Sequence, residues 1–550
     1  MNRRDFIESF AGTSLAAAST AFAAAQGGST EKSSMPKFAN QSSVRHKKPN
    51  VLILMTDQQR PDSLGCYGSK IAKTPNIDSL ANGGVLFENC YVQNPLCCPS
   101  RYTMLTGQYP HSHGVMSNWY KPREGLKSFA HVLGSAGYQS AAIGKMHLTP
   151  WYDNFGFDGR IIAEPKMEVG HQDDYGTFIN KHGYTREQMY PWNDKFLKQC
   201  TAIDSNVPAE LHIDSFVGKS VCEYLNRIDE DIPFCCMGSF VSPHNPYDPP
   251  EPYNKLFKDT KFPPKNMGKD EINEKPREAY DYINEVLSAD WGVTTDKFSD
   301  EQLHRIKANY YGLNTLIDDW IGKIIDTLKE KGIYDNTIII YTSDHGDLLG
   351  DHGLIFKQCF YEQSVKVPLI IHAPAYFESG RVNDLVELKD IYSTVCEMGS
   401  ARPGKEAQSK SLMPLLKREK GYVHNDAVFS ENYFGKMIRT GPWKLVYYIG
   451  KDYGELYNLD KDPLEQDNLW DKKSYADIKS ELKSRLLDWM AISQKSLYFP
   501  VRDKHHDISY AEYVQSDGRA KKVDVQPWFL NGFEDLYEKW DFTTTLNKTI

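Results

Sequence analysis

Cysteine is scarce in this chain, with 10 in 550 residues. That density is far below that of disulfide-stapled scaffolds, and no Cys-x-x-Cys pair with metal-finger spacing occurs. An excess of basic charge is also missing. Lys plus Arg is 64 and Asp plus Glu is 73, a net charge of −9. A nucleic-acid partner would demand a basic stripe or patch, so none is expected. Internal repeats are absent, which excludes solenoids and propellers built on periodic units. What remains is ordinary: 40% hydrophobic and 25% charged residues. That excludes disorder, collagen and coiled coil for the chain as a whole and leaves a large globular protein with ample core.

No transmembrane run is expected either. From Phe10 to Ala25 the chain is Ala-rich and uncharged for 16 residues, short of the about 20 that span a bilayer. Ahead of it stand Arg3, Arg4, Phe6 and Ile7. Small-residue cleavage patterns follow at Ala21-Phe22-Ala23 and Ala23-Ala24-Ala25. Residues 1–25 resemble a bacterial twin-arginine export signal, which implies a translocase partner and a periplasmic or secreted destination. Residues 26–47, rich in Ser, Gly and Lys, read as a linker.

Val51 to Met55 is a continuous apolar run ending in Thr56-Asp57-Gln58-Gln59. This is the pattern of a strand buried on both faces, with polar residues where open α/β sheets place their sites. Thr337 to Tyr341 repeats it, ending in Thr342-Ser343-Asp344-His345. Further strands are predicted at Val85–Val92, Ser140–Ile143, Pro233–Val241 and Val367–Ile371. Helices are predicted at Asp78–Gly84, Ser100–Thr106, Ser128–Ala136 and Gln302–Lys331. The 150–300 region otherwise reads as polar, aromatic and loop-rich. Beyond about residue 420, short strands at Ala427–Glu431, Met437–Thr440, Trp443–Tyr448 and Glu455–Leu459 predict an antiparallel sheet, followed by a helix at 474–493. The expected fold is α/β, a large mixed, mostly parallel sheet flanked by helices, with a smaller C-terminal α+β subdomain. The expected boundaries are 48–420 for the larger domain and 421–550 for the C-terminal subdomain and tail.

The segment Cys97-Cys98-Pro99-Ser100-Arg101-Tyr102-Thr103-Met104-Leu105-Thr106-Gly107 carries a C-x-P-S-R motif followed by Thr-Gly. It resembles the signature of the sulfatase family. Gly137 through His147, with Gly144-Lys145-Met146-His147, resembles the family's second signature. Similar stretches occur at Thr74-Pro75-Asn76-Ile77-Asp78, at Asp344-His345-Gly346-Asp347, and from Gly353 through Lys357. The resemblance implies an alkaline-phosphatase-like fold and hydrolysis of sulfate esters.

It further implies that Cys97 is oxidised to formylglycine by a formylglycine-generating or anaerobic sulfatase-maturing enzyme. Only Cys97 has Pro two residues on and Arg four on. The hydrated aldehyde would attack sulfur through one oxygen and release sulfate through the other. The implied metal ligands are Asp57, Gln58, Asp344 and His345 with residue 97. Arg101 would steady the nucleophile, Lys145 and Lys357 would hold sulfate oxygens, and His147 would trigger sulfate release. His147 falls on the face of Lys145 if that segment is extended. His244, in Ser242-Pro243-His244-Asn245-Pro246, would be the general acid. His111 and His113 are expected to be structural.

The ligand pairs depart from the family's commoner Asp-Asp and Asp-Asn. Asp57-Gln58 and Asp344-His345 lower the formal ligand charge from about −3 to about −2 and introduce a nitrogen donor. Calcium is still the expected ion, with Mn or Mg as alternatives. The same pairs resemble a branch that includes phosphonate monoester hydrolases. A phosphonate monoester or phosphodiester hydrolase is therefore one alternative, and an inactive glycan-binding homologue another. The expected substrate is a sulfated carbohydrate, an algal polysaccharide such as ulvan or a glycosaminoglycan. Export supports it, as do Trp119, Tyr120, Trp151, Tyr152 and Trp192, aromatic residues able to stack on sugar rings.

Overall fold

The computed structural model describes residues 48–118, 120–164, 173–190, 201–268 and 299–494. The export signal, the linker, Trp119, Trp192, Cys200 and the tail beyond residue 494 lie outside them. Eight strands form the main sheet: β1 (Asn50–Asp57), β2 (Val85–Tyr91), β3 (Gln139–Gly144), β4 (Gly159–Ile162), β5 (Phe234–Pro243), β6 (Thr337–Ser343), β7 (Lys366–His372) and β8 (Gly380–Glu387). Their order is β4-β3-β5-β1-β6-β7-β2-β8. All neighbours pair in parallel except β7, which runs antiparallel to both β6 and β2. β1 lies at the centre, with Leu52 opposite Cys236 of β5 and Ile339 of β6. All eight of its residues are buried, as a strand covered on both faces requires.

Helices cover the sheet: α1 (Pro75–Asn82), α2 (Cys97–Thr106), α3 (Pro110–His113), α4 (Phe129–Ser135), α5 (Asp174–Lys181), α6 (Ile213–Arg227), α7 (Asp300–Glu330) and α8 (Asp390–Met398). α1 starts three residues earlier than predicted, because Pro75 occupies its first turn, where a missing N–H costs nothing. α7 opens with a capping box between Ser299 and Gln302 and buries Leu313, Leu316, Ile317, Ile321 and Ile324 along one stripe.

A second, four-stranded antiparallel sheet follows, with β9 (Ala427–Glu431), β10 (Gly435–Thr440), β11 (Trp443–Tyr448) and β12 (Gly454–Asn458) in the order β12-β11-β10-β9. Helix α9 (Ala476–Ser493) packs on it. The two sheets share a core, in which Met55 and Ile340 belong to one apolar cluster with Val428, Met437 and Val446.

The reading of 150–300 as loop with a single strand is corrected. The segment also holds β4, α5 and α6. α6 buries Phe216, Val217, Val221, Tyr224 and Leu225 at helical spacing. β8 was not predicted. It is an edge strand whose first six residues are exposed or half-buried, so no apolar run marks it.

Candidate active site

Polar residues gather just past the carboxyl ends of the central strands, where open α/β sheets bind ligands. Asp57 closes β1, Asp344 and His345 follow β6, Lys145 follows β3, and His244 follows β5. Cys97 is the first residue of α2, whose N-terminal dipole favours negative charge. Gly144 delivers Lys145. Its φ is +100°, and a Cβ there would lie 2.0 Å from the Ser239 carbonyl oxygen, so only glycine fits.

Asp57, Cys97, Asp344 and His345 are buried, and each places a ligand atom within 4.8 Å of the others. Arg101 is fully buried among them. Its Nε donates to Asp344 Oδ2 at 2.8 Å and its Nη2 to Asp57 Oδ2 at 3.0 Å. Its Nη1 donates to the Lys145 carbonyl at 2.5 Å and to Ser239 Oγ at 2.8 Å. Lys145 Nζ lies 2.6 Å from Asp57 Oδ2 and 3.9 Å from Cys97 Sγ. His345 Nδ1 sits 2.9 Å from the Gly346 carbonyl. A carbonyl only accepts, so Nδ1 carries the proton and Nε2 turns a lone pair to the cluster, 3.2 Å from Cys97 Sγ.

The donor set suits a divalent cation. Two carboxylates converge in a buried space where charge is costly unless matched. Arg101 and Lys145 match part of it, and Oδ1 of Asp57, Oδ1 of Asp344 and Nε2 of His345 still face one another. Burial alone would raise the Asp57 pKa, but Lys145 and Arg101 overcome it and hold the carboxyl well below the usual carboxylate range. Burial and Asp57 likewise oppose ionisation of the Cys97 thiol, yet Lys145 and Lys357 bring it below its ordinary value.

Gln58 adopts a φ of 69°. Its Nε2 donates to Asp347 Oδ2 at 2.5 Å, which leaves Oε1 to accept from Lys357 Nζ at 2.6 Å. Lys357 Nζ also donates to His244 Nε2 at 2.7 Å, while His244 Nδ1 donates to the Asn245 carbonyl. An ammonium only donates, so His244 is the neutral tautomer. Burial and the neighbouring Lys357 and Lys145 charges keep its pKa well below that of free imidazole.

The extended segment expected to carry Lys145 and His147 on one face is not found. β3 ends at Gly144, and His147 has a φ of 53°. The Glu164 carboxylate accepts the His147 N–H through both oxygens, at 3.2 and 3.1 Å, and holds the turn. Burial, Lys145 and Arg101 depress the pKa of the His147 imidazole well below the ordinary value. His111 and His113 serve as structural ties. His111 Nδ1 pairs with Glu431 Oε1 at 2.6 Å, and His113 Nε2 bonds Thr103 Oγ1 at 2.9 Å. Trp151, expected as a sugar platform, is only 6% exposed and stands edge-on to Tyr152.

This constellation sits in a recognisable sequence context. The sulfatase family profile matches residues 49–401, and the profile of the N-sulphoglucosamine sulphohydrolase C-terminal region matches residues 350–491. The chain belongs to the sulfatase family. This sulfatase is 30% identical over 468 residues to an arylsulfatase of Clostridium perfringens, covering 80% of this chain and 94% of that one. It is 28% identical to an N-acetylglucosamine-6-O-sulfatase of Bacteroides thetaiotaomicron, covering 82% and 88%. Its fold, alkaline-phosphatase-like, superimposes on the crystal structure of a phosphonate monoester hydrolase of Agrobacterium radiobacter. There the TM-score is 0.72, at 26% identity over 83% of this chain and all of that one.

Three supporting residues of this sulfatase were given no role from the sequence. Asp347 orients the Gln58 amide and accepts from Tyr247 Oη at 2.6 Å. Glu164 shapes the His147 turn, and Ser239 shares Arg101. Each acts through a contact with a residue distant in sequence. Asp347 alone lies within a family-like stretch.

Proposed function

We propose that this chain hydrolyses sulfate esters of carbohydrates. The observation that carries the reading is the buried cluster of Asp57, Cys97, Asp344 and His345 with Lys145 and Lys357 converging on it. A buried nucleophile position, a cation-binding set and two ammonium groups suit a sulfuryl group bearing nonbridging oxygens.

Asp57, Asp344, His345 and residue 97 would hold a divalent cation, with the Gln58 oxygen adjacent, and calcium remains the expected ion. When bound, the cation would draw charge from the ester oxygens and lower the pKa of the nucleophile. Oxidised to formylglycine, residue 97 would supply a hydrated aldehyde, with one hydroxyl for attack and a second that permits release of sulfate. Arg101 fixes the two carboxylates and so sets where the nucleophile meets the cluster. Lys145 and Lys357 neutralise the sulfate oxygens. His244 is the general acid implied by the sequence; because its Nε2 accepts from Lys357 Nζ, the proton for the leaving alcohol would come through the Lys357–His244 pair, with the ammonium as its source. His147 would be the base that takes the proton that frees sulfate.

The carbohydrate part rests on the N-acetylglucosamine-6-O-sulfatase relative and on the expected export, which brings the enzyme to polymers outside the cytoplasm. Maturation of Cys97 by a formylglycine-generating or anaerobic maturing enzyme and twin-arginine translocation are parts of the same proposal. Among the described residues no helix is long and apolar enough to cross a membrane.

The phosphonate monoester reading keeps a specific support, the Agrobacterium radiobacter hydrolase that shares the fold. A comparison of kcat/KM on 4-nitrophenyl sulfate and on a phenylphosphonate monoester separates the two. We expect the sulfate ester to be preferred. A large preference for the phosphonate would replace the sulfatase assignment.

A further inference from the structure

Two loops are tied to the segments that carry residue 97 and Lys357 and take no part in the mechanism above. The first is tied to the residue after the nucleophile: the Cys98 N–H donates to Asn118 Oδ1 at 3.1 Å. The second joins β9 to β10 and is tied to the residue after Lys357: Asn432 Nδ2 donates to the Gln358 carbonyl at 2.9 Å. Gln358 in turn donates its N–H to the Pro95 carbonyl at 3.1 Å, two residues before Cys97. Each loop places a tyrosine just beyond its tie, Tyr120 after Asn118 and Tyr433 after Asn432. At about 3.8 Å per residue step, both backbones lie close to the segments that carry residue 97 and Lys357.

The two rings meet across the loops. Their centroids are 5.8 Å apart and their planes inclined at 53°. Tyr120 packs half-buried against the main core, while Tyr433 keeps 40% of its surface exposed. An inclined pair with one face open offers an apolar surface for the C–H face of a sugar ring and phenolic groups for its hydroxyls. The large sheet contributes the chemistry and the β9–β10 loop contributes half of this surface.

We propose that Tyr120 and Tyr433 form an aromatic subsite that receives the pyranose ring of a sulfated sugar, the leaving group of the reaction. This rests on the sulfatase reading above. The subsite explains how an enzyme of net charge −9 takes up an anionic sugar: the local cations hold the sulfate and the aromatic pair holds the ring.

The test uses the matured full-length enzyme and its Tyr433→Ala, Tyr120→Ala and Tyr433→Phe variants. Sulfate release is measured from N-acetylglucosamine 6-sulfate, N-acetylgalactosamine 4-sulfate and a 2-O-sulfated uronate disaccharide. Inhibition by inorganic sulfate reports on the cation cluster alone. For the sugar that the wild type hydrolyses fastest, each alanine variant should raise KM about tenfold, the effect of losing one aromatic contact, with little change in kcat. Tyr433→Phe should stay within about threefold of wild type, because the ring is kept. The inhibition constant for inorganic sulfate should not move. An active wild type whose alanine variants keep its KM would overturn the subsite and leave the sulfatase reading intact. A parallel rise in the sulfate inhibition constant would also overturn it, since the tyrosines would then be supporting the cluster itself. A wild type that releases sulfate from none of these sugars refutes the carbohydrate reading, and the subsite with it.

Discussion

Arg101 holds the centre together with four of its five N–H donors. Two go to the carboxylates of Asp57 and Asp344, and two to the Lys145 carbonyl and Ser239 Oγ. A lysine at this position keeps the charge, but a point cation cannot reach both carboxylates with the planar fork of a guanidinium. Arg101→Lys should therefore cost about 3 kcal/mol of stability, in the range for breaking a buried ion pair, and reduce kcat/KM about a hundredfold. Thermal denaturation and steady-state kinetics on the same preparation check this. A variant with wild-type melting and wild-type kcat/KM would show that the carboxylates need no bridge. Cys97 and Cys98 differ in the same local way. Cys97 faces the cluster, and Cys98 belongs to the apolar core.

At the scale of elements, β9 and α3 are joined by Glu431. Its buried carboxylate pairs with His111 Nδ1 at 2.6 Å and with Lys436 Nζ. Burial alone would raise the Glu431 pKa, but Lys436 and His111 lower it to about 2, from an ordinary value of 4.5. The folded pKa is thus depressed, so the pair stabilises fully above about pH 4.5 and loses its effect as pH falls toward 2. Glu431→Gln should be less stable at neutral pH by about 3 kcal/mol. That deficit should shrink as the pH is lowered through this window. A deficit that stays constant across it would show that the charge is not what matters.

The elements most legible in the sequence were those with one dominant signal. β1 and β6 are unbroken apolar runs, and α7 has a long apolar stripe and a cap. β8 was hidden because an edge strand alternates polar residues with few apolar ones. α6 was hidden because Gly218 and several β-branched residues interrupt an otherwise helical spacing. In the site, residues within contiguous motifs were visible, and Glu164 and Ser239 were not. Their roles exist only once β3, β4 and β5 lie side by side.

Across the whole molecule, both sheets contribute to one apolar cluster, in which Val51, Phe87 and Val367 pack with Val428, Met437, Val446 and Tyr448. α9 adds a further link, with Trp489 stacked on Phe429 at 4.7 Å and edge-on to Tyr109 at 5.1 Å. A core shared in this way unfolds as a unit. Calorimetry should show a single endotherm for the two sheets. Two separated endotherms would show that the C-terminal sheet is an independent folding unit. The net charge of −9 adds a constraint at this scale. Under the proposed function the overall field would repel an anionic glycan, so capture would depend on Lys145, Lys357 and the cation their neighbours would hold.

The central claim is that residue 97 works as an aldehyde in a sulfate-cleaving centre. Mass spectrometry of the peptide spanning Cys97, taken from enzyme with measured sulfate-ester turnover, tests it most directly. The account predicts that this residue is lighter by the thiol-to-aldehyde difference and that Cys98 in the same peptide is an intact cysteine. Fully active enzyme in which Cys97 is an unmodified thiol would contradict it.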